Sequence, residues 1–362
     1  PETARSFFDH TDRENQMDTT PSGSEPAREF GRQRLTLRAP NRWGVHMALL
    51  VMSLALGAGF VTAQDEEAPA SVMAPLADKS LILDVVALSD RLVAVGERGH
   101  ILVSSDDGAT WRQVEAPTRA MLTGVAFADD RVGVAVGHDA VILRTTDGGE
   151  SWAMVYSAPD DEAPLFDAWF ADADNGVAIG AYGSHLRTTD GGESWEFEPI
   201  GDTDWHLHEI ARAGDGKLFM AAEAGMVYRS DDGGASWIEL PSPYEGSYFG
   251  VLPLDEGTVL LFGLRGHLFR SEDAGENWVE LDTGTVAMLT NGIRLADGTI
   301  VIVGLGGTVL VSTDGGRSFS YSQQEGRRGI SAIAETTGGR LVLVGEFGVR
   351  TATLADLAAT TD

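Results

Sequence analysis

The stretch RTTDGGESW occurs twice without change, at Arg144–Trp152 and again at Arg187–Trp195. Aligned on its closing aromatic residue, the same pattern appears six times, at intervals of 41, 43, 42, 41 and 41 residues. A period near 42, with four short apolar runs and turn residues in each repeat, predicts a β-propeller with one four-stranded sheet per repeat. The six closing residues are Trp111, Trp152, Trp195, Trp237, Trp278 and Phe319.

Glycine-rich turns between the second and third runs give an independent count of the repeats. The first is VGERG at Val95–Gly99 and the last is VGEFG at Val344–Gly348, and seven such turns are present. The seventh repeat lacks the aspartate pattern and a fourth run, whereas Val72–Pro75 matches Val114–Pro117 in its closing Ala-Pro. We therefore predict an all-β, seven-bladed propeller, with residues 64–79 as a linker and the strand that closes blade seven, removing a free sheet edge.

The repeated pattern Ser/Thr-x-Asp-x-Gly-x-x-Trp/Phe is the Asp-box, and its residue types suit a tight turn between two strands. The carboxylate and hydroxyl can bond nearby backbone groups, the glycine accepts a positive φ, and the aromatic ring packs beneath the turn. An active site is normally built once, so six copies indicate a structural role. The aspartates are Asp106, Asp147, Asp190, Asp232, Asp273 and Asp314.

Composition and charge exclude several functions. The 362 residues include no cysteine, which excludes disulfides, zinc–thiolate sites and thiol chemistry. The net charge of −29 argues against binding to nucleic acid or directly to anionic lipid. His206 and His208 are two residues apart in a predicted strand, but no third metal ligand is identifiable. We predict neither a metal nor a cofactor.

The N-terminal region has the pattern of an exported protein. Residues 1–40 are polar and lack periodicity, so we expect disorder or an upstream extension. Residues 41–63 combine a basic start, an apolar run and a Val-Thr-Ala cleavage site, as in a signal peptide. The apolar run over residues 45–60 is shorter than the ~20 residues of a membrane span, and an uncleaved anchor there is the alternative. Residues 80–354 are then the propeller and residues 355–362 a C-terminal tail.

The seven repeats, six Asp-boxes, VGxxG turns and leader together resemble the photosystem II stability/assembly factor family of BNR propellers, over about residues 68–354. The resemblance implies an exported accessory protein, and we expect a monomeric, non-enzymatic scaffold in the periplasm or thylakoid lumen. Its partner would be a membrane-protein subunit or an envelope complex. The alternative is a glycan-binding or sialidase-like protein, because sialidases also carry Asp-boxes. The Arg-Ile-Pro segment that is usual in sialidases is absent, although the many acidic residues make some two-carboxylate pair unavoidable.

Two groups of residues are candidates for partner binding. In propellers, the loops into the innermost strands and the turns between strands two and three share one face. Aromatic and arginine residues there could bind a partner, or the aromatics could fill the channel mouth while the arginines pair with nearby aspartates. These candidates are Arg119, Trp205, His206, Tyr248, Arg265, Arg327 and Arg328. An arginine also precedes the Asp-box in four consecutive repeats, forming either a binding patch or a series of inter-blade ion pairs. This row consists of Arg144, Arg187, Arg229 and Arg270.

Overall fold

The computed structural model describes residues 69–201, 204–255 and 257–358. The predicted extension over residues 1–40, the signal peptide over residues 41–63 and the alternative anchor over residues 45–60 lie outside these described residues. Within the described ranges, no helix is both long and apolar enough to cross a bilayer.

The described chain forms seven antiparallel sheets, and the strands within each sheet follow one another in chain order. Blades one to three contain β1 (Ile82–Ala87), β2 (Leu92–Gly96), β3 (Ile101–Ser104), β4 (Arg112–Val114), β5 (Leu122–Phe127), β6 (Gly133–Gly137), β7 (Ile142–Thr145), β8 (Ala153–Tyr156), β9 (Leu165–Phe170), β10 (Gly176–Gly180), β11 (His185–Thr188) and β12 (Glu196–Phe197).

Blades four to seven follow the same plan. Their strands are β13 (Leu207–Arg212), β14 (Leu218–Ala222), β15 (Val227–Ser230), β16 (Ile238–Glu239), β17 (Tyr248–Pro253), β18 (Val259–Gly263), β19 (Leu268–Ser271), β20 (Val279–Leu281), β21 (Leu289–Arg294), β22 (Ile300–Gly304), β23 (Thr308–Ser312), β24 (Ser320–Gln323), β25 (Ile330–Glu335), β26 (Leu341–Gly345) and β27 (Gly348–Ala352). A short helix, α1 (Leu354–Ala358), follows β27.

The sheets close into a ring through their innermost strands. Each innermost strand packs against that of the next blade, and β25 of blade seven packs against β1 of blade one. The second strand of every blade is buried along its whole length, as expected for a strand covered on both faces by neighbouring sheets. The predicted seven-bladed propeller is therefore confirmed.

Each Asp-box is closed by its own side chains. In blade three, the Thr188 hydroxyl donates to Asp190 Oδ1 (2.8 Å) and accepts the Gly192 N–H (2.9 Å). The Asp190 carboxylate also accepts the N–H (3.0 Å) and hydroxyl (2.6 Å) of Ser194. These hydrogen bonds favour the charged form and lower the pKa of Asp190 to about 2. The corresponding bonds form in the other five boxes.

The aromatic residue of the box joins each blade to the preceding one. Trp195 of blade three lies in one cluster with Val134 and Val136 of blade two, and its indole N–H donates to the Gly192 carbonyl at 3.3 Å. Its ring meets Phe170 edge to face, with centroids 6.4 Å apart. The box therefore fixes a hairpin and fills the seam between two sheets.

The first box contains a residue with a strained backbone conformation. Asp107 has φ 55°, at the position where Gly148 and Gly191 occupy the left-handed region in the next two boxes. Glycine adopts this conformation without a Cβ penalty, so we expect Asp107→Gly to raise the free energy of unfolding by about 0.5–1 kcal/mol, measured by urea titration. Ala109→Gly, in the same turn at an exposed position without positive φ, should instead destabilise slightly. Equal changes in the two variants would contradict this explanation.

The prediction of a closing strand over residues 64–79 is wrong for the described part of that segment. Blade seven has three strands among the described residues, and residues 69–76 form none. The Ser71 N–H donates to Ala116 O (2.8 Å) and the Ala74 N–H to Gln113 Oε1 (2.7 Å), so the segment follows the outer strand of blade one. Pro69 and Pro75 flank it, and proline has no N–H to contribute to a strand ladder.

The predicted tail over residues 355–362 is also corrected in its described part. Its first residues belong to α1, and Leu357 is buried in a cluster with Val301 and Val309 of blade six. The Ser322 hydroxyl of blade six donates to the Leu357 carbonyl at 2.5 Å. Because blade seven has no Asp-box aromatic residue, Leu357 fills the seam that a tryptophan fills between other blades.

Candidate interaction face

One end of the propeller, which we call the turn face, collects the turns between strands two and three and the loops into the innermost strands. In every blade, the first N–H of the turn donates to the carbonyl just before the innermost strand. Examples are Glu97 to Leu81 O (3.0 Å) and Glu223 to His206 O (2.9 Å). These bonds hold the turns beside the loops, and the Asp-boxes lie at the opposite ends of the strands.

The innermost strands line a narrow central channel, and each contains a bulge. Their pairing register shifts near the second residue in all seven blades, which directs two successive positions towards the axis. Side chains at the later position connect neighbouring blades: Asp84 accepts the Val125 N–H (2.9 Å) and Glu209 accepts the Val251 N–H (2.7 Å). Asp167 and Asn291 make the corresponding bonds.

Three of these channel groups are carboxyls with raised pKa values. Burial raises the pKa of Asp84. Burial, with an added contribution from the Asp84 charge, raises the pKa of Asp167 to about 7. Burial and the Asp167 charge raise the pKa of Glu209 well above its ordinary value. Sequence reasoning missed this group, although aligning the innermost strands would have shown a polar residue at the same position in four repeats.

The central channel is small, and its carboxyls are engaged in contacts between blades. Its cavity measures about 140 Å³, below the ~300 Å³ at which ligand pockets usually begin. Its carboxyl oxygens accept backbone N–H groups that the bulges release. Among the described residues, no cluster of three or more His, Asp or Glu side chains has the geometry to hold a metal.

Aromatic and imidazole rings form a continuous group from the turn face into the channel mouth, across blades three to five. Tyr182 meets His206 edge to face at 5.0 Å, and Phe166 lies 5.9 Å from His206 and 5.8 Å from His208. His208 in turn lies 4.6 Å from Phe249. This aromatic group presents large rings to solvent, because Tyr182 is 61% exposed and the adjacent Trp205 is 40% exposed.

Two sequence expectations about this region need revision. Tyr248 is only 1% exposed, and its hydroxyl lies 2.9 Å from Ser242 Oγ, so it is a core residue and cannot be a surface contact. Burial raises its pKa to about 12. The rings of His206 and His208 are nearly perpendicular, 6.3 Å apart, and His208 Nδ1 bonds the Tyr248 carbonyl at 2.7 Å. The bulge thus separates two histidines that a regular strand would place side by side.

The arginines of the turn face are exposed and have no ion-pair partner among the described residues. Arg119 donates from Nε to the Ala70 carbonyl at 2.9 Å, and Arg328 bonds the Glu346 carbonyl and lies 6.0 Å from the Phe347 ring. In a chain with a net charge of −29, these unpaired guanidinium groups are gathered on one face. The group comprises Arg98, Arg119, Arg265, Arg327 and Arg328.

The arginine row before the Asp-boxes is different, because each member has an acidic partner. Two pairs connect neighbouring blades: Arg144 with Glu193 (3.5 Å), and Arg229 with Glu276 (3.0 Å). Within their own blades, Arg187 pairs with Glu198 at 3.6 Å and Arg270 pairs with Glu272. Arg144 also donates to the Gly191 carbonyl (2.8 Å) of the next Asp-box. These contacts favour a structural role for the row.

Comparison with known proteins agrees with this architecture. Residues 103–163 and 157–345 match the family model described as photosynthesis system II assembly factor YCF48. The chain belongs to this family. It is 42% identical over 129 residues to the photosystem II assembly lipoprotein Ycf48 of a Nostoc species, and 41% identical over 129 residues to that of Trichormus variabilis. Each alignment covers 35% of this chain and 38% of the relative, so the chain matches well under half the length of these YCF48 proteins.

A solved structure of the family has the same fold. The structure titled "YCF48 bound to D1 peptide" aligns with a TM-score of 0.63 and 20% sequence identity, over 81% of this chain and 97% of that chain. At this sequence identity, the structural similarity supports a shared propeller fold. The D1 peptide is a ligand of that relative. The resemblance to the photosystem II assembly factor family, first drawn from the repeats, is thereby confirmed for the YCF48 family.

Proposed function

We propose that this YCF48-family chain is a non-enzymatic, exported, monomeric assembly factor whose turn face binds an extracytoplasmic segment of a membrane-protein subunit. The observation that carries the proposal is the combination of exposed Tyr182 and Trp205 with unpaired arginines on one face. Aromatic and arginine side chains contribute most of the binding energy in many protein interfaces. A YCF48 structure is titled as bound to a D1 peptide, which supports a polypeptide as the class of partner.

Two further observations support the cellular setting of this proposal. The Nostoc and Trichormus relatives are named lipoproteins, consistent with an exported protein held near a membrane. Residues 41–63 of this chain have the composition of a signal peptide, with residues 45–60 as an alternative anchor. With either a cleaved signal peptide or a retained anchor, the propeller would act outside the cytoplasm, in a periplasm or thylakoid lumen, as the proposal requires.

Binding of a labelled D1 peptide, measured by fluorescence anisotropy, tests the face. Trp205→Ala should weaken binding about 10-fold or more, the effect of losing an interface hot spot. Arg327→Glu with Arg328→Glu should weaken it most at low salt, where charge attraction is least screened. Arg131→Glu, an exposed change in the loop at the Asp-box end of blade two, is the control. Unchanged affinity in all turn-face variants would contradict the proposed face.

A further inference from the structure

The N-terminal segment that fails to close blade seven instead builds a pocket on blade one. Hydrogen bonds hold the segment in place: Ala116 N–H donates to Ser71 Oγ (2.9 Å), and Gln113 Nε2 donates to the Val72 carbonyl (3.1 Å). Between this segment and the blade-one turn lies a cavity of about 520 Å³. That volume is within the range of small-molecule sites.

The walls of this blade-one pocket have two distinct characters. The segment contributes an apolar wall, with the exposed side chains of Val72 and Leu76 beside Pro75. Opposite them, blade one contributes Arg98 from its turn and Arg119 from the loop that leads into blade two. A ligand here would meet apolar surface on one side and positive charge on the other.

The two guanidinium groups are available to an anion. Neither Arg98 nor Arg119 has an ion-pair partner among the residues that the structure describes. Arg119 uses only Nε, towards the Ala70 carbonyl, which leaves both terminal nitrogens as donors. Arg98 lies in the left-handed region at φ 57°, and Gly99 directly after it packs against the Thr118 carbonyl. The tight turn therefore fixes the position of the Arg98 Cα atom, from which the side chain extends.

A buried histidine at the same pocket gives an independent indication of a ligand. His100 lines the cavity, is 3% exposed, and its Nδ1 atom has no hydrogen-bond partner among the described residues. Leaving a buried polar atom unpaired costs about 1–3 kcal/mol, so such atoms are uncommon unless something else satisfies them. Burial lowers the pKa of His100, which keeps the ring neutral near pH 7.

We infer that the blade-one pocket binds a carboxylate attached to an apolar group. The carboxylate pairs with Arg98 and Arg119, the apolar group packs on Val72 and Leu76, and His100 supplies a polar contact within the pocket. Guanidinium groups bind carboxylates through charge-assisted, frequently bidentate hydrogen bonds that are roughly twice as strong as those between neutral groups. A fatty acid and the C-terminus of a polypeptide that ends in an apolar residue share this chemistry. Arg98 and Arg119 also belong to the turn-face arginines, but the pocket would bind this ligand whichever partner occupies the rest of that face.

Calorimetric titration of the full chain with matched acids and amides tests this pocket. The probes are octanoate against octanamide, and acetyl-Ala-Leu-Leu with a free carboxylate against its carboxamide. We expect the acids to bind at least about 10-fold more tightly than the amides, the ratio that 1.4 kcal/mol of charge-assisted bonding gives. Tighter binding of octanoate would identify a fatty-acid site, and tighter binding of the peptide acid would identify a polypeptide terminus.

Variants show whether the binding occurs in this pocket. Arg98→Gln and Arg119→Gln should each weaken acid binding about 10-fold and leave amide binding unchanged, whereas Leu76→Gln should weaken both. Arg131→Gln removes the same charge at the Asp-box end and should bind as the unaltered chain does. The inference is overturned if acids and amides bind equally, if none saturates by 10 mM, or if the two arginine variants retain full affinity. Each substituted residue is exposed, so folding should be preserved.

Discussion

Replacing Trp195 with alanine is expected to lower the free energy of unfolding by about 3–5 kcal/mol, the usual cost of removing a large aromatic side chain from a packed core. Trp195 is 7% exposed and fills the seam between blades two and three. The variant would leave a cavity against Val134 and Phe170, and the Gly192 carbonyl would lose its indole donor. Urea denaturation followed by far-UV circular dichroism measures the change.

The same substitution at Trp205 is the control for this result. Trp205 is 40% exposed, and its backbone carbonyl accepts the Gly183 N–H, a bond that survives loss of the side chain. We expect Trp205→Ala to change the stability by less than about 1 kcal/mol. Similar losses in the two variants would show that the box tryptophan does not join the blades.

Because of the channel carboxyls, the free energy of unfolding should fall as the pH rises towards neutrality. Asp167 has a pKa of about 7 in the folded chain against an ordinary value of 3.8, so between these values the folded state holds a proton that the unfolded state has released. Its stabilising contribution is complete below about pH 4 and is lost as the pH rises to about 7. The slope for one such group is about 1.4 kcal/mol per pH unit.

Asp167→Asn isolates this effect, because the amide does not titrate. At pH 5 the variant should be less stable, since the Ala168 and Ile210 N–H groups bond different carboxyl oxygens and the amide NH2 that replaces one of them would face an N–H donor. From pH 5 to pH 8 it should gain about 3 kcal/mol relative to the unaltered chain, measured by urea titration at each pH. Removing Asp167 also removes a charge that raises the pKa of Glu209, which further flattens the profile.

Subtracting the pH profile of the unaltered chain from that of the variant removes the contributions of other titrating groups. Burial lowers the pKa of His185 and His208, so these residues are protonated more readily in the unfolded chain. In both proteins the free energy of unfolding therefore falls as the pH falls through 6.5. Asp297→Asn is the matched control, because burial barely affects Asp297 and hydrogen bonds to Thr299 lower its pKa. Its difference profile should be flat above pH 5. A flat profile for Asp167→Asn as well would mean that Asp167 is already ionised at pH 5.

The candidate site was only partly predictable from the sequence. The position of a residue in its repeat correctly indicated that Arg119, Trp205, Arg265, Arg327 and Arg328 are exposed on loops and turns. The same reasoning failed for Tyr248, because the first residue of an innermost strand points into the core, where Ser242 bonds its hydroxyl. It also could not decide the role of the arginine row, because two of its four acidic partners, Glu193 and Glu276, belong to other repeats.

The sequence alone determined the number of blades and the construction of the Asp-box turns. Both are local properties: a 42-residue period sets one sheet per repeat, and the bonds that the serine or threonine and the aspartate make in a box lie within seven residues, as between Thr188 and Ser194. Only the tertiary structure decided how blade seven is completed, why the channel is lined with carboxyls, and where Val72–Pro75 meets Arg98. These features arise where distant segments meet, and their energies depend on burial and on partners that no single repeat contains.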